Sequence, residues 1–127
     1  ELIKPTKIYV EPILKILNKH KTKKIIKGMA HITGGGLVEN IPRILPEGCA
    51  VMLERSKWNV PKIFNIIQDV GNIADQEMFH VFNMGIGMVL IVSGSDVKIV
   101  LNDLKSTKEP GTIIGEVIKG GRTVRIE

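Results

Sequence analysis

The residues best equipped for chemistry lie in one short stretch, His31-Ile32-Thr33-Gly34-Gly35-Gly36, where an apolar run from Met29 gives way to a helical pattern. Glycines admit positive φ and let a ligand approach the backbone closely. The first amides of the helix that follows have no partner within it. Together with the helix dipole they make a receiver for an anion, phosphate above all. Thr33 adds a hydroxyl, Asn40 an amide and Arg43 a guanidinium on the helix beyond, all suited to a bound anion or substrate. His31 is the candidate acid or base. The same residues allow a second reading: a tight strand-to-helix turn, a capping or core histidine, a surface salt bridge for Arg43 and a backbone hydrogen bond for Asn40. The pattern is not a Walker A loop, since no Gly-Lys-Ser/Thr follows, and its spacing differs from the dinucleotide fingerprint.

A second glycine cluster, Asn83-Met84-Gly85-Ile86-Gly87-Met88, marks a passage from helix to strand. Gly85 and Gly87 alternate with Ile86, so an extended chain has one bare side there. A ligand or a neighbouring element of the protein could fill it, and Asn83 and Gly85 join the candidate binding residues on the first alternative. No metal site is expected: His20, His31 and His80 are far apart and have no cysteine at zinc-ligand spacing. No Ser-His-Asp triad assembles from local motifs. Cys49, the single cysteine, reads as a small buried hydrophobe and not a nucleophile, and it rules out an internal disulfide. Asp75 and Glu77 read as helix N-terminal charges.

The elements that must hold these residues follow from periodicity. A helix is predicted from Pro12, with Ile13, Leu14, Ile16 and Leu17 at helical spacing, fading between Asn18 and Lys21. Met29 to Thr33 is predicted as a strand, Leu37 to Leu45 as a helix kinked or restarted at Pro42, and Cys49 to Leu53 as a second strand after the turn Pro46-Glu47-Gly48. A helix from Val60 or Pro61 stops at Gly71. Another runs from Asp75, as N-cap, to Phe82. Met88 to Val92 is the strongest strand signal. Ser95 or Asp96 caps a helix from Val97 to Leu104, and Lys105 to Gly111 is a polar loop. Ile113 to Ile118 and Thr123 to Ile126 read as a hairpin joined by Lys119-Gly120-Gly121-Arg122. Strands scattered along the chain among helices give an α+β class, with a mixed sheet layered by helices.

The chain has 127 residues, 43% hydrophobic, 24% charged and only 4% aromatic. This composition suits one globular domain with an aliphatic core. No apolar run approaches the ~20 residues of a membrane span, and Glu1-Leu2-Ile3-Lys4-Pro5 is not a signal peptide. The chain reads as a piece starting inside a longer polypeptide. Its net charge of +5 is local: residues 1–27 hold eight lysines against two glutamates, and the remainder ten basic against eleven acidic side chains. No aromatics interleave with these lysines, so a solvated helix end is favoured over a nucleic-acid surface.

Four stretches together resemble one family. Gly28-Met29-Ala30-His31-Ile32-Thr33-Gly34-Gly35-Gly36-Leu37, continued by Glu39-Asn40-Ile41-Pro42-Arg43 and Leu45-Pro46, is similar to the signature of phosphoribosylformylglycinamidine cyclo-ligases, also called aminoimidazole ribonucleotide synthetases. Pro5-Thr6-Lys7-Ile8-Tyr9-Val10, Glu77-Met78-Phe79 with Phe82 to Met88, and Ile114-Gly115-Glu116-Val117 resemble it in the same order. One departure stands out: His80-Val81 occupies the place of the family's usual Arg-Thr, so no substrate role passes to His80. The resemblance implies that residues 1–127 form the single C-terminal domain, with partial ferredoxin-like topology, and that an N-terminal ATP-binding domain is missing. It implies an ATP-dependent ring closure in purine synthesis: phosphorylation turns the formyl oxygen of formylglycinamidine ribonucleotide into a leaving group, and a substrate nitrogen closes the imidazole. ATP and Mg²⁺ are then held mainly by the absent domain, the glycine turn takes phosphate or developing charge, and His31 is the acid/base candidate. The implied partners are the ribonucleotide substrate and the protein's own N-terminal domain, with no nucleic acid and no membrane, in a cytoplasmic homodimer. Sister synthetases and small-molecule kinases of the same architecture are the alternative, as is a non-enzymatic anion-binding module.

Overall fold

The computed structural model describes residues 5–107 and 109–127. Among the described residues, five α-helices and five strands are interspersed in an α+β arrangement. Helix α1 (Val10–Lys19) starts two residues before Pro12, which falls in its first turn, where a missing N–H costs no internal bond. It buries Pro12, Ile13 and Ile16. Strand β1 (Ile26–His31) begins earlier than its apolar run and stops at His31. Helix α2 (Gly36–Asn40) follows the glycines, and Pro42 ends it: Pro42–Ile44 is a separate 3-10 turn.

Strand β2 (Cys49–Leu53) and strand β3 (Met88–Val92) have the predicted bounds. Helix α3 (Lys62–Gly71) is stopped by Asn72, the residue that takes the left-handed conformation (φ 47°), and not by Gly71. Helix α4 (Asp75–Val81) has Ala74 at its N-cap position. Asp75 is therefore not the cap, and its carboxylate instead accepts from Arg55 at 2.7 Å. Helix α5 (Val97–Ser106) runs two residues further than predicted. Neither Ser95 nor Asp96 caps it: the buried Asp96 carboxylate is paired with Lys23.

The chain's end departs most from its local signal. Strands β4 (Gly115–Lys119) and β5 (Val124–Ile126) do not form a hairpin. Strand β2 lies between them, antiparallel to β4 and parallel to β5. The Gly120-Gly121 turn passes over the start of β2, where the N–H of Gly120 and of Arg122 donate to the carbonyls of Gly48 (3.0 Å) and Cys49 (2.7 Å). Burial decides this: β2 carries Ala50, Val51 and Leu53, all buried, and is the apolar strand that gains most from two neighbours. The other ladder is two-stranded, β1 antiparallel to β3. Cys49, at the outer end of β2, is half-buried and free.

The larger core joins β1, α2, β2 and α4 through Ile32, Leu37, Ile41, Leu53, Met78 and Met84. Trp58 covers it, its indole N–H donating to the Met84 carbonyl at 3.1 Å. A smaller core, Ile16, Ile25, Ile26 and Val100, binds α1 and α5 to β1. The lysine-rich end of α1 is more than a solvated face: Lys19 and His20 meet the buried Asp103 of α5, and Lys23 meets Asp96. Burial pushes the Asp103 carboxyl up, but hydrogen bonds and charge from Lys19 and His20 outweigh it and hold the group below its ordinary value.

Candidate functional site

The turn between β1 and α2 gives each glycine a different surrounding. Gly34 faces open space. Gly35 has φ 92°, and the Glu39 side chain folds over it, so that a Cβ there would fall 2.8 Å from that of Glu39. Gly36 has φ 57° and lies against the end of α4, where a Cβ would come within 2.7 Å of the Phe82 carbonyl and closer still to that of Phe79. Gly36 N–H donates to the Thr33 carbonyl at 3.0 Å. Among the described residues nothing accepts from the N–H of Gly34 or Gly35.

Asn40 builds the turn from inside. It is 5% exposed, and its Nδ2 donates to the carbonyls of Thr33 (3.3 Å), Gly34 (3.1 Å) and Gly36 (2.8 Å). Its Oδ1 accepts from Thr33 Oγ1 at 3.4 Å and from Arg43 Nη1 at 3.3 Å. Arg43 also reaches Glu39 at 3.6 Å, and His80 Nε2 lies 2.8 Å from the other oxygen of that carboxylate. Glu39, Arg43 and His80 therefore form one exposed cluster beside the turn. It is neutral with a neutral imidazole and carries one positive charge when His80 is protonated.

Thr33, Gly34, Gly35, Gly36, Asn40 and Arg43 thus come together. Thr33 also shares a shallow depression of about 240 Å³ with Asn83, between Phe64 and Phe82. Asn83 Oδ1 accepts from Gly85 N–H at 3.0 Å and shapes the second glycine turn. The bare side of that cluster is filled by the protein itself: a Cβ on Gly85 would strike Pro61, and one on Gly87 would strike Tyr9. His31 stands apart, exposed at the end of β1 with the Tyr9 ring edge-on at 5.9 Å. Glu39 and His80, neither of them a candidate from the sequence, also stand beside the turn. The signal for Glu39 is its spacing, four residues after Gly35 and four before Arg43, about one helical turn from each. His80 has no signal in its own helix, since its partner lies on α2.

Residues 1–127 match the family described as AIR synthase related protein, C-terminal domain. The chain belongs to that family. It is 52% identical over 120 residues to a phosphoribosylformylglycinamidine cyclo-ligase of Bacillus cereus (strain G9842), covering 94% of this chain and 34% of that protein. It is 49% identical over 127 residues to one of Bacillus mycoides (strain KBAB4), covering 100% of this chain and 36% of that protein. The chain spans about a third of the length of these relatives. Among solved structures, E. coli HypE, a hydrogenase maturation protein, superposes with a TM-score of 0.70 at 21% identity, covering 99% of this chain and 37% of that one. A HypE-HypF complex gives 0.68 at 21%, covering 99% and 41%. These likenesses extend the family's fold to distant sequences.

Among the described residues no helix is long and apolar enough to cross a membrane. No three His, Cys, Asp or Glu side chains of those residues converge as a metal site would require.

Proposed function

We propose that this chain is the C-terminal domain of an ATP-dependent cyclo-ligase, which closes the imidazole ring of formylglycinamidine ribonucleotide to give aminoimidazole ribonucleotide in purine synthesis. The observation that carries this is its 49–52% identity, over 94–100% of its length, to proteins of that name. On this reading ATP and Mg²⁺ belong to an N-terminal domain outside this chain. The described residues offer no converging donor set for the metal. The complete protein is a cytoplasmic homodimer whose partners are the ribonucleotide and its own N-terminal domain, without nucleic acid or membrane.

This domain's own share is electrostatic. The N–H groups of Gly34 and Gly35, which have no acceptor among the described residues, receive a phosphate or the charge that develops on a transferring oxygen, and Thr33 Oγ1 joins them by leaving Asn40 Oδ1. Arg43 supplies positive charge beside them. Glu39 opposes an incoming anion and must release Arg43 to it. Asn83 lies across the depression from Thr33 and can reach the same ligand, whereas Gly85 shapes the turn behind it. His31 remains the acid/base candidate, its imidazole exposed at the strand end.

The test joins residues 5–127 to the N-terminal two-thirds of the Bacillus cereus enzyme and assays ring closure. The chimera should turn over, and its Gly34→Ala variant should stay folded while turnover drops at least about tenfold, the loss expected for a disturbed oxyanion contact. A folded, inactive chimera overturns the assignment. Full activity in the Gly34→Ala variant removes the turn from the mechanism.

A further inference from the structure

A second concavity lies apart from the Gly34-Gly36 turn. It is a groove of about 620 Å³ whose lining includes consecutive residues of two strands, Met88–Val92 of β3 and Gly115–Val117 of β4. Alternate side chains of a strand point to opposite faces, so a groove touching consecutive residues runs along the strand's edge. The pairing agrees. Among the described residues, strand β3 is bonded to β1 alone and β4 to β2 alone, which leaves each one open edge. Among the described residues nothing hydrogen-bonds the outer N–H and C=O groups of Met88–Val92. All five residues are nevertheless half-buried. Backbone groups so placed call for a partner, and unpaired edges accept extended chains. Ile41, Val51 and Leu53 form an apolar part of the lining, suited to the alternate side chains of such a chain.

We propose that this groove receives an extended strand from the part of the longer polypeptide that this chain lacks, completing a six-stranded order β1-β3-X-β4-β2-β5. Two facts select that occupant over a free peptide or a second copy. The relatives carry about two-thirds of their length outside the matched region, since the chain covers 34–36% of them. Lys7 and Tyr9 line the groove, so the N-terminal side of the chain adjoins it. A strand laid there gains main-chain bonds on both sides, the same logic by which peptides augment sheet edges. The inference rests on the reading that this domain works within a longer protein, but not on the reaction.

The test is amide hydrogen exchange on the 127-residue chain and on the chimera with the Bacillus cereus N-terminal region. In the chimera, amides within 88–92 and 115–117 that face the groove should exchange at least about tenfold more slowly, while those bonding β1 to β3 change little. A Leu90→Lys variant, which sets a charge among the groove's apolar residues, should lose part of that protection. Equal exchange at both edges in the two proteins overturns the proposal. So does protection that grows with concentration of the short chain alone, because a second copy then fills the groove. An active chimera with unprotected edges sinks this inference and leaves the function standing, while an inactive one with protected edges does the reverse.

Discussion

Replacing Gly36 by alanine separates packing from ligand binding in the glycine turn. Its φ of 57° is left-handed, a conformation that costs a non-glycine residue about 1–2 kcal/mol. The added Cβ also falls against the carbonyls of Phe79 and Phe82, backbone atoms that end α4 and yield only if the helix shifts. Overpacking of this kind costs about 1–3 kcal/mol. The sum, about 2–5 kcal/mol, is a large part of a typical domain's stability. At about 4 °C per kcal/mol for a chain of this size, Tm should fall by roughly 8–20 °C. Gly34→Ala is the control: its φ is not left-handed and its Cβ meets nothing within 4 Å, so Tm should stay within about 2 °C. Circular dichroism melts of the three purified chains decide it. A Gly36→Ala protein as stable as wild type would refute the close approach of α2 to α4, and with it the reason that residue is glycine.

Asn40→Ala strips three carbonyls of a buried donor and should lower stability by about 2–3 kcal/mol. Asn40→Asp, of equal size, should be at least as damaging because it sets a carboxylate against those carbonyls, and a urea midpoint equal to wild type would contradict this. Asp103 titrates below its unfolded value of about 3.9, so its contribution is complete above that value and fades as pH falls through about 4 toward the lower folded value. Asp103→Asn should flatten the acid limb of stability, and an unchanged difference between urea midpoints at about pH 7 and pH 3 would count against the pairing with Lys19 and His20.

Where one element's own pattern suffices, the sequence reading and the structure agree. Cys49–Leu53 and Met88–Val92 are compact apolar runs bounded by turn or glycine signals, and both are strands with those bounds. Pro42 breaks α2 because no residue can bond through a missing N–H. Agreement fails where a distant residue decides. Asp96 has the type and position of an N-cap, but Lys23, seventy-three residues away, takes its carboxylate. The Gly120-Gly121 signal does mark a turn, yet local chemistry cannot tell that β2 lies between the strands it joins. Asn72 rather than Gly71 ends α3, since asparagine tolerates the left-handed region nearly as readily.

The site shows the same division at finer grain. Three adjacent glycines look alike in sequence, which leaves both a packing turn and a phosphate turn open. The structure assigns them separate reasons. Gly36 is fixed by α4, and any side chain there meets a carbonyl. Gly35 is fixed by its φ and by the Glu39 side chain above it. Neither needs a ligand to explain it. Gly34 has no left-handed φ and no neighbour within 4 Å, so an alanine would fit the isolated domain at little cost. A glycine that the fold does not require, with its amide unpaired and its face open, is where a ligand's demand for close approach has most to explain. On the proposed function, the ligand's demand therefore falls on the first glycine of the motif and not on its centre. Gly34→Ala, not a bulky change at Gly35, is the substitution that probes chemistry without disturbing the fold.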